Sequence, residues 1–189
     1  MKKKLIAILG SLHENGSVAA MMDCALKATD LSEWEIEIIY LYQKQIAFCN
    51  GCRVCAKTGK CIINDDMQEI AEQMKTCDRI ILAAPTYWAN VPAAVKNLFD
   101  RLFGIALEET STFPRPRLNR KQRYLLLTAC NTPAPFSWLC GQSRGALRAM
   151  DEFFKTSGMK RLGSVVFSSA KGSAELPSNV IKKIERLCK

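Results

Sequence analysis

The sequence predicts an α/β fold built on one five-stranded parallel sheet. Strand-like and helix-like periodicities alternate along the whole 189-residue chain, the order that gives a parallel sheet with crossover helices. Three of the strand segments are near-continuous apolar runs, which suits strands covered by helices on both faces. The strands are expected at Lys4 to Leu9, Glu35 to Tyr40, Arg79 to Ala84, Arg123 to Thr128 and Leu162 to Phe167.

The runs Leu5-Ile6-Ala7-Ile8-Leu9, Ile80-Ile81-Leu82-Ala83-Ala84 and Leu125-Leu126-Leu127 belong in the middle of the sheet. The second strand alternates as Glu35-Ile36-Glu37-Ile38, and the fifth carries Gly163 and Ser164, so both suit edges. With strands two and five outermost, the order is 2-1-3-4-5, that of a flavodoxin-like three-layer sandwich. Such a sheet binds its ligand beyond the carboxyl ends of strands one and three.

A length of 189 residues and 48% hydrophobic content fit a single domain over residues 1–189. No stretch approaches the roughly 18 apolar residues of a membrane helix, and the apolar run within Met1 to Gly10 is too short for a signal peptide. The expectation is a cytoplasmic protein with no membrane partner. Nine cysteines in such a chain point to thiol, metal or redox chemistry before a disulfide framework. A net charge of +9 draws anionic partners. Arg115, Arg117, Arg120, Lys121 and Arg123 read as a solvated loop, with contact to a nucleotide phosphate or a subunit as alternatives. No nucleic-acid partner is expected, because only Phe113 and Tyr124 flank this basic run.

The loop Gly10-Ser11-Leu12-His13-Glu14-Asn15-Gly16-Ser17 follows strand one and opens a helix, so backbone N–H groups and the helix dipole face an anion. Ser11, Asn15 and Ser17 add side-chain donors. The loop is neither G-x-G-x-x-G nor a G-x-x-x-x-G-K-[ST] phosphate loop, and a monophosphate suits it best. Its plain alternative is an ordinary turn with Ser17 as N-cap.

After strand three comes Pro85-Thr86-Tyr87-Trp88-Ala89-Asn90-Val91-Pro92, then a helix with Val91, Val95, Leu98, Phe99 and Leu102 on one face and Pro92 in its first turn. Tyr87 and Trp88 offer a stacking wall for a flat ring, with Thr86 and Asn90 available to its polar edge. Core packing is the alternative for both aromatics. A single histidine, His13, disfavours a Ser-His-Asp arrangement and excludes H-E-x-x-H zinc hydrolysis. Asp65-Asp66 before Met67 reads as helix capping and dipole compensation.

Gly10-Ser11 to Ser17, Pro85 to Pro92 with the helix through Asp100-Arg101, and Cys49-x-x-Cys52-x-x-Cys55-x5-Cys61 before Asp65-Asp66-Met67 resemble the NADPH-dependent FMN reductases and iron-sulfur flavoproteins. The resemblance covers about the first two-thirds of the chain and becomes generic beyond Thr128. It implies FMN phosphate at Ser11, Asn15, Gly16 and Ser17, and the isoalloxazine against Pro85, Thr86, Tyr87, Trp88 and Asn90. The turn Thr128-Ala129-Cys130-Asn131-Thr132 should line the far side, though its sequence is not diagnostic. His13 stands where the family's loop often carries Arg, which neutralises less phosphate charge and puts affinity in question.

The resemblance also implies that bound FMN passes electrons from NADH or NADPH to an acceptor, with no acid–base dyad required, in a homodimer or homotetramer. For Cys49, Cys52, Cys55 and Cys61 three states stay open: a [4Fe–4S] cluster, zinc, or a metal-free loop. The rival functions are an electron carrier exchanging electrons with ferredoxin and a zinc-binding module. Flavodoxins are commonly acidic, so the basic charge favours a reductase.

Overall fold

In the computed structural model, which describes residues 2–189, the chain runs β1 (Lys3–Leu9), α1 (Ser17–Lys27), β2 (Trp34–Tyr40), α2 (Val54–Thr58), α3 (Met67–Thr76), β3 (Arg79–Pro85), α4 (Ala93–Arg101) and α5 (Phe103–Ala106). It continues through β4 (Leu107–Glu108), β5 (Arg115–Pro116), β6 (Arg123–Cys130), α6 (Phe136–Leu139), α7 (Gln142–Thr156), β7 (Lys160–Ser168) and α8 (Ser178–Cys188). The main sheet is ordered β2-β1-β3-β6-β7 and every neighbouring pair in it is parallel. With β6 and β7 as its fourth and fifth strands, this is the flavodoxin-like 2-1-3-4-5 order.

The continuous apolar runs exist because the pleat sends alternate residues to two covered faces. Leu5, Ala7 and Leu9 of β1 pack with α1 and α8 through Val18, Met21 and Ile184. Ile6 and Ile8 pack on the opposite face with α3, α4 and α7 through Ile70, Val95 and Phe154. Each fully buried Leu, Ile or Val in these layers contributes about 1.5–3 kcal/mol relative to exposure. The edge strands differ as their sequences suggest: Glu35 of β2 is exposed while Trp34 and Ile39 are buried. In β7 the register shifts against β6 between Tyr124 and Leu125, a bulge that bends the edge. Gly163 has a packing reason as well, since a Cβ there would lie 2.8 Å from Leu187 Cδ1 of α8.

The segment between α4 and β6 departs from the expected solvated loop. Leu107 and Glu108 pair antiparallel with Pro116 and Arg115, and α5 and this hairpin make a small platform beside the sheet. Arg117 leaves the platform to reach α2, its Nη2 donating to Ala56 O at 3.5 Å. Arg115, Arg120, Lys121 and Arg123 remain exposed. Among the described residues no helix is long and apolar enough to cross a membrane.

Candidate functional site

A cavity of about 940 Å³ opens at the carboxyl ends of β1, β3 and β6, within the range of small-molecule sites. Its near wall is the β1–α1 loop. Gly10 N–H donates to Ala83 O at 2.8 Å, and a Cβ at Gly10 would lie 2.4 Å from Val95 Cγ2, so only glycine lets the loop leave the strand this close to α4. His13 N–H donates to Ser11 Oγ at 3.2 Å and Gly16 N–H to His13 O at 3.3 Å, folding the loop over the start of α1.

Ser17 is the first residue of α1. It does not cap the helix; Gly16 holds the N-cap position and no side chain caps it. The Ser17 residue is only 5% exposed, lines the cavity, and its hydroxyl has no hydrogen-bond partner. A buried unpaired hydroxyl costs about 1–3 kcal/mol, and the first-turn N–H groups beside it also lack intrahelical acceptors. Orphaned donors at the positive end of a helix fit a phosphate. Asn15 and Gly16 complete this wall.

The second wall follows β3. Thr86 N–H donates to Ala129 O at 2.9 Å, and the Thr86 and Thr128 hydroxyls are 3.0 Å apart. Thr128 is therefore buried behind Thr86 rather than on the cavity surface. Pro85, Thr86 and Tyr87 line the cavity. Tyr87 and Asn90 exchange backbone hydrogen bonds at 2.8 and 2.9 Å, closing a tight turn in which Trp88 and Ala89 have φ of 51° and 58°. That geometry sends the Trp88 side chain fully into solvent. This corrects the expected stacking wall: Tyr87 borders the cavity and Trp88 does not. Asn90 is also turned away, its Oδ1 accepting from Val91 N–H at 2.8 Å. The turn is held from below by α7, where a Cβ on Gly145 would lie 2.0 Å from Ala89 O.

The far wall combines Ala129, Cys130, Asn131 and Thr132 of the expected turn with two residues the motifs did not indicate, Gln142 and Lys171. The Thr132 hydroxyl and the Gln142 side chain are hydrogen-bonded. Tyr42 and Gln43, after β2, lie behind the wall and reach its residues Tyr87 and Glu14. Gln43 Nε2 donates to Glu14 Oε1 at 2.6 Å, and burial, followed by the neighbouring Tyr87, pushes the Tyr42 phenol up.

The cysteine segment lies beside α4 and α5. Cys49 and Cys52 are exposed, Cys55 and Cys61 half-buried. Burial and, after it, the nearby Cys61, Cys49 and Cys52 thiols push the Cys55 thiol up. Cys55 packs on α5, where a Cβ on Gly104 would meet Cys55 Cβ at 2.6 Å. Among the described residues no group of three or more His, Cys, Asp or Glu side chains is placed to hold one metal ion. As arranged here the four thiols do not form the ligand set that a cluster or zinc needs.

The two ends of the segment are clamped by Arg101 of α4. Its buried guanidinium forms a bidentate pair with Asp65 at 2.7 and 3.0 Å and donates to Ala47 O and Ile63 O at 2.6 and 3.1 Å. Asn97 Nδ2 adds bonds to Ile46 O and Ala47 O at 3.2 and 3.3 Å. Asp66 holds the N-cap position of α3 but makes no side-chain cap bond, so of the expected capping pair only Asp65 reaches the helix start. Besides accepting from Met67 N–H at 3.1 Å, it fixes the loop through an ion pair spanning 36 residues.

Comparison with known proteins agrees with this architecture. An iron-sulfur flavoprotein of Archaeoglobus fulgidus is 38% identical over 99 residues, 52% of this chain and 45% of that protein. One from Methanocaldococcus jannaschii is 41% identical over 98 residues, 52% of this chain and 51% of that protein. The chain spans about half the length of these curated relatives. Among solved structures, an NAD(P)H:quinone oxidoreductase from Methanothermobacter marburgensis superposes with a TM-score of 0.73 at 13% identity, covering 98% of this chain and 95% of the other; at that identity it speaks for the fold. The family model for NADPH-dependent FMN reductase matches residues 3–132, which take in the β1 loop, the cysteine segment and the β3 turn. By that match the chain belongs to the NADPH-dependent FMN reductase family.

Proposed function

We propose that this chain is an FMN-dependent oxidoreductase that takes electrons from NADPH or NADH and delivers them to a separate acceptor. The observation that carries the reading is the buried, unpartnered Ser17 hydroxyl at the start of α1, facing a cavity at the carboxyl ends of the strands. FMN, when bound, supplies the electron-transfer chemistry between nicotinamide and acceptor. The chain's residues bind and orient. Ser17, Asn15 and the first-turn N–H groups hold the phosphate, Tyr87 and Thr86 border the ring, and the Asn131–Thr132 turn closes the opposite side. The cavity's open mouth leaves room for the nicotinamide and then the acceptor, in alternation.

A second reading, single-electron exchange with a ferredoxin, is favoured by the name iron-sulfur flavoprotein carried by the relatives and by the four-cysteine segment. The thiol arrangement in this structure does not fit a cluster, so the proposed function includes no step through one. An absorption spectrum and metal analysis of anaerobically purified protein test both readings. Flavin bands with FMN stoichiometric to the chain, and neither iron, acid-labile sulfide nor zinc above background, are expected. Iron and sulfide lost on Cys52→Ser would favour the second reading, and absence of flavin after incubation with FMN would defeat both.

A further inference from the structure

We propose that Lys171 is the cation that partners the flavin phosphate and thereby sets a preference for FMN over unphosphorylated riboflavin. The inference rests on the FMN reading above and adds a residue outside the family match, which ends at residue 132.

The charge inventory of the cavity leads to it. A phosphate brings up to two negative charges, whereas the helix end supplies only about half a positive charge. The β1 loop contains no Lys or Arg, and its one carboxylate, Glu14, accepts a hydrogen bond from the neutral Gln43 and keeps its negative charge, which adds to the need for a cation. Among the described residues, Lys171 is the only Lys or Arg on the cavity wall. It is exposed and takes part in none of the ion pairs of the structure.

The chain also holds Lys171 in place. Ala170 is buried and its N–H donates to Cys130 O at 3.1 Å, while Ser173 N–H donates to Ala170 O at 2.8 Å. The loop after β7 is thus fastened to the turn after β6 that forms the far wall. Ser169, Lys171 and Gly172 have φ of 59°, 45° and 78°. A lysine has no preference for that backbone region and glycine would occupy it without strain. A strained cation on a fastened loop, lining the same cavity as an orphaned hydroxyl and a bare helix end, makes an anion site with contributions from both ends of the chain.

Titration of the flavin-stripped full chain with FMN and with riboflavin, followed by flavin fluorescence, tests the assignment. Lys171→Gln should weaken FMN binding about tenfold or more, leave riboflavin binding unchanged, and flatten the salt dependence of FMN affinity. Lys171→Arg should keep most of the affinity. Lys171→Gly should lose it while raising the melting temperature, a combination that a merely structural role does not produce. Wild-type FMN affinity in Lys171→Gln, or an equal fall for riboflavin, overturns the role of Lys171 alone. Failure of the wild-type chain to bind FMN overturns both this proposal and the FMN reading.

Discussion

Arg101→Met should lower the stability of the chain by about 3–5 kcal/mol at neutral pH, the range for breaking one side of a buried ion pair. The Arg101 side chain is fully buried and Asp65 nearly so, and the same guanidinium satisfies the Ala47 and Ile63 carbonyls. Against a typical total of roughly 5–15 kcal/mol, that loss is large enough to read directly in urea unfolding. Asp65→Asn should be comparably damaging, because Arg101 cannot shed its charge. Replacing both partners with apolar residues should recover part of the loss. Limited proteolysis should find the 48–62 segment opened in either single variant.

The pH dependence follows from Asp65. Burial pushes its carboxyl up, but hydrogen bonds from Arg101, Ala47 and Met67 outweigh burial and leave it below the ordinary value of 3.8. A group with a depressed folded-state value binds protons more readily when unfolded. Its contribution is therefore complete above that ordinary value and is lost as pH falls through the lower folded one. The contribution of Asp65 to wild-type stability should be flat near neutrality and fall only below about pH 4. In Arg101→Met the carboxyl loses its main offset to burial and titrates higher, so the gap between the two proteins should begin to narrow above that pH.

Ser17→Asp should abolish FMN binding, with a loss of about a hundredfold or more. The substitution replaces an orphaned donor with a carboxylate aimed at the phosphate. It should not unfold the protein: the first turn of α1 carries no acidic residue, and a negative charge there complements the helix dipole. Equilibrium dialysis against FMN, with a melting curve of the flavin-free variant, separates the two effects. Retained FMN in a well-folded Ser17→Asp protein would remove the phosphate site from the β1 loop.

The sheet was legible because both faces of β1, β3 and β6 are covered, which writes itself as uninterrupted apolar runs. Strand ends differ from expectation by a residue or two, as at Lys160 and Ser168 of β7, where pairing with a neighbour rather than composition decides the boundary. The β4–β5 hairpin had no sequence signal, since two-residue strands are defined by their partners. The β1 loop was readable from its residue types. The direction of Trp88 was not, because it depends on two consecutive left-handed residues held by Gly145 of a helix more than fifty positions away. Lys171 and Gln142 escaped for the same reason: they meet the cavity through the sheet order and belong to no local motif.

Anaerobic stopped-flow mixing of the FMN-loaded chain with NADPH, and separately with NADH, tests the central claim most directly. The account predicts that at least one nicotinamide bleaches the flavin absorbance within seconds, and that Ser17→Asp protein, lacking flavin, shows no such signal. Flavin that stays oxidised for minutes with both nicotinamides, yet is bleached by a reduced ferredoxin, would contradict it.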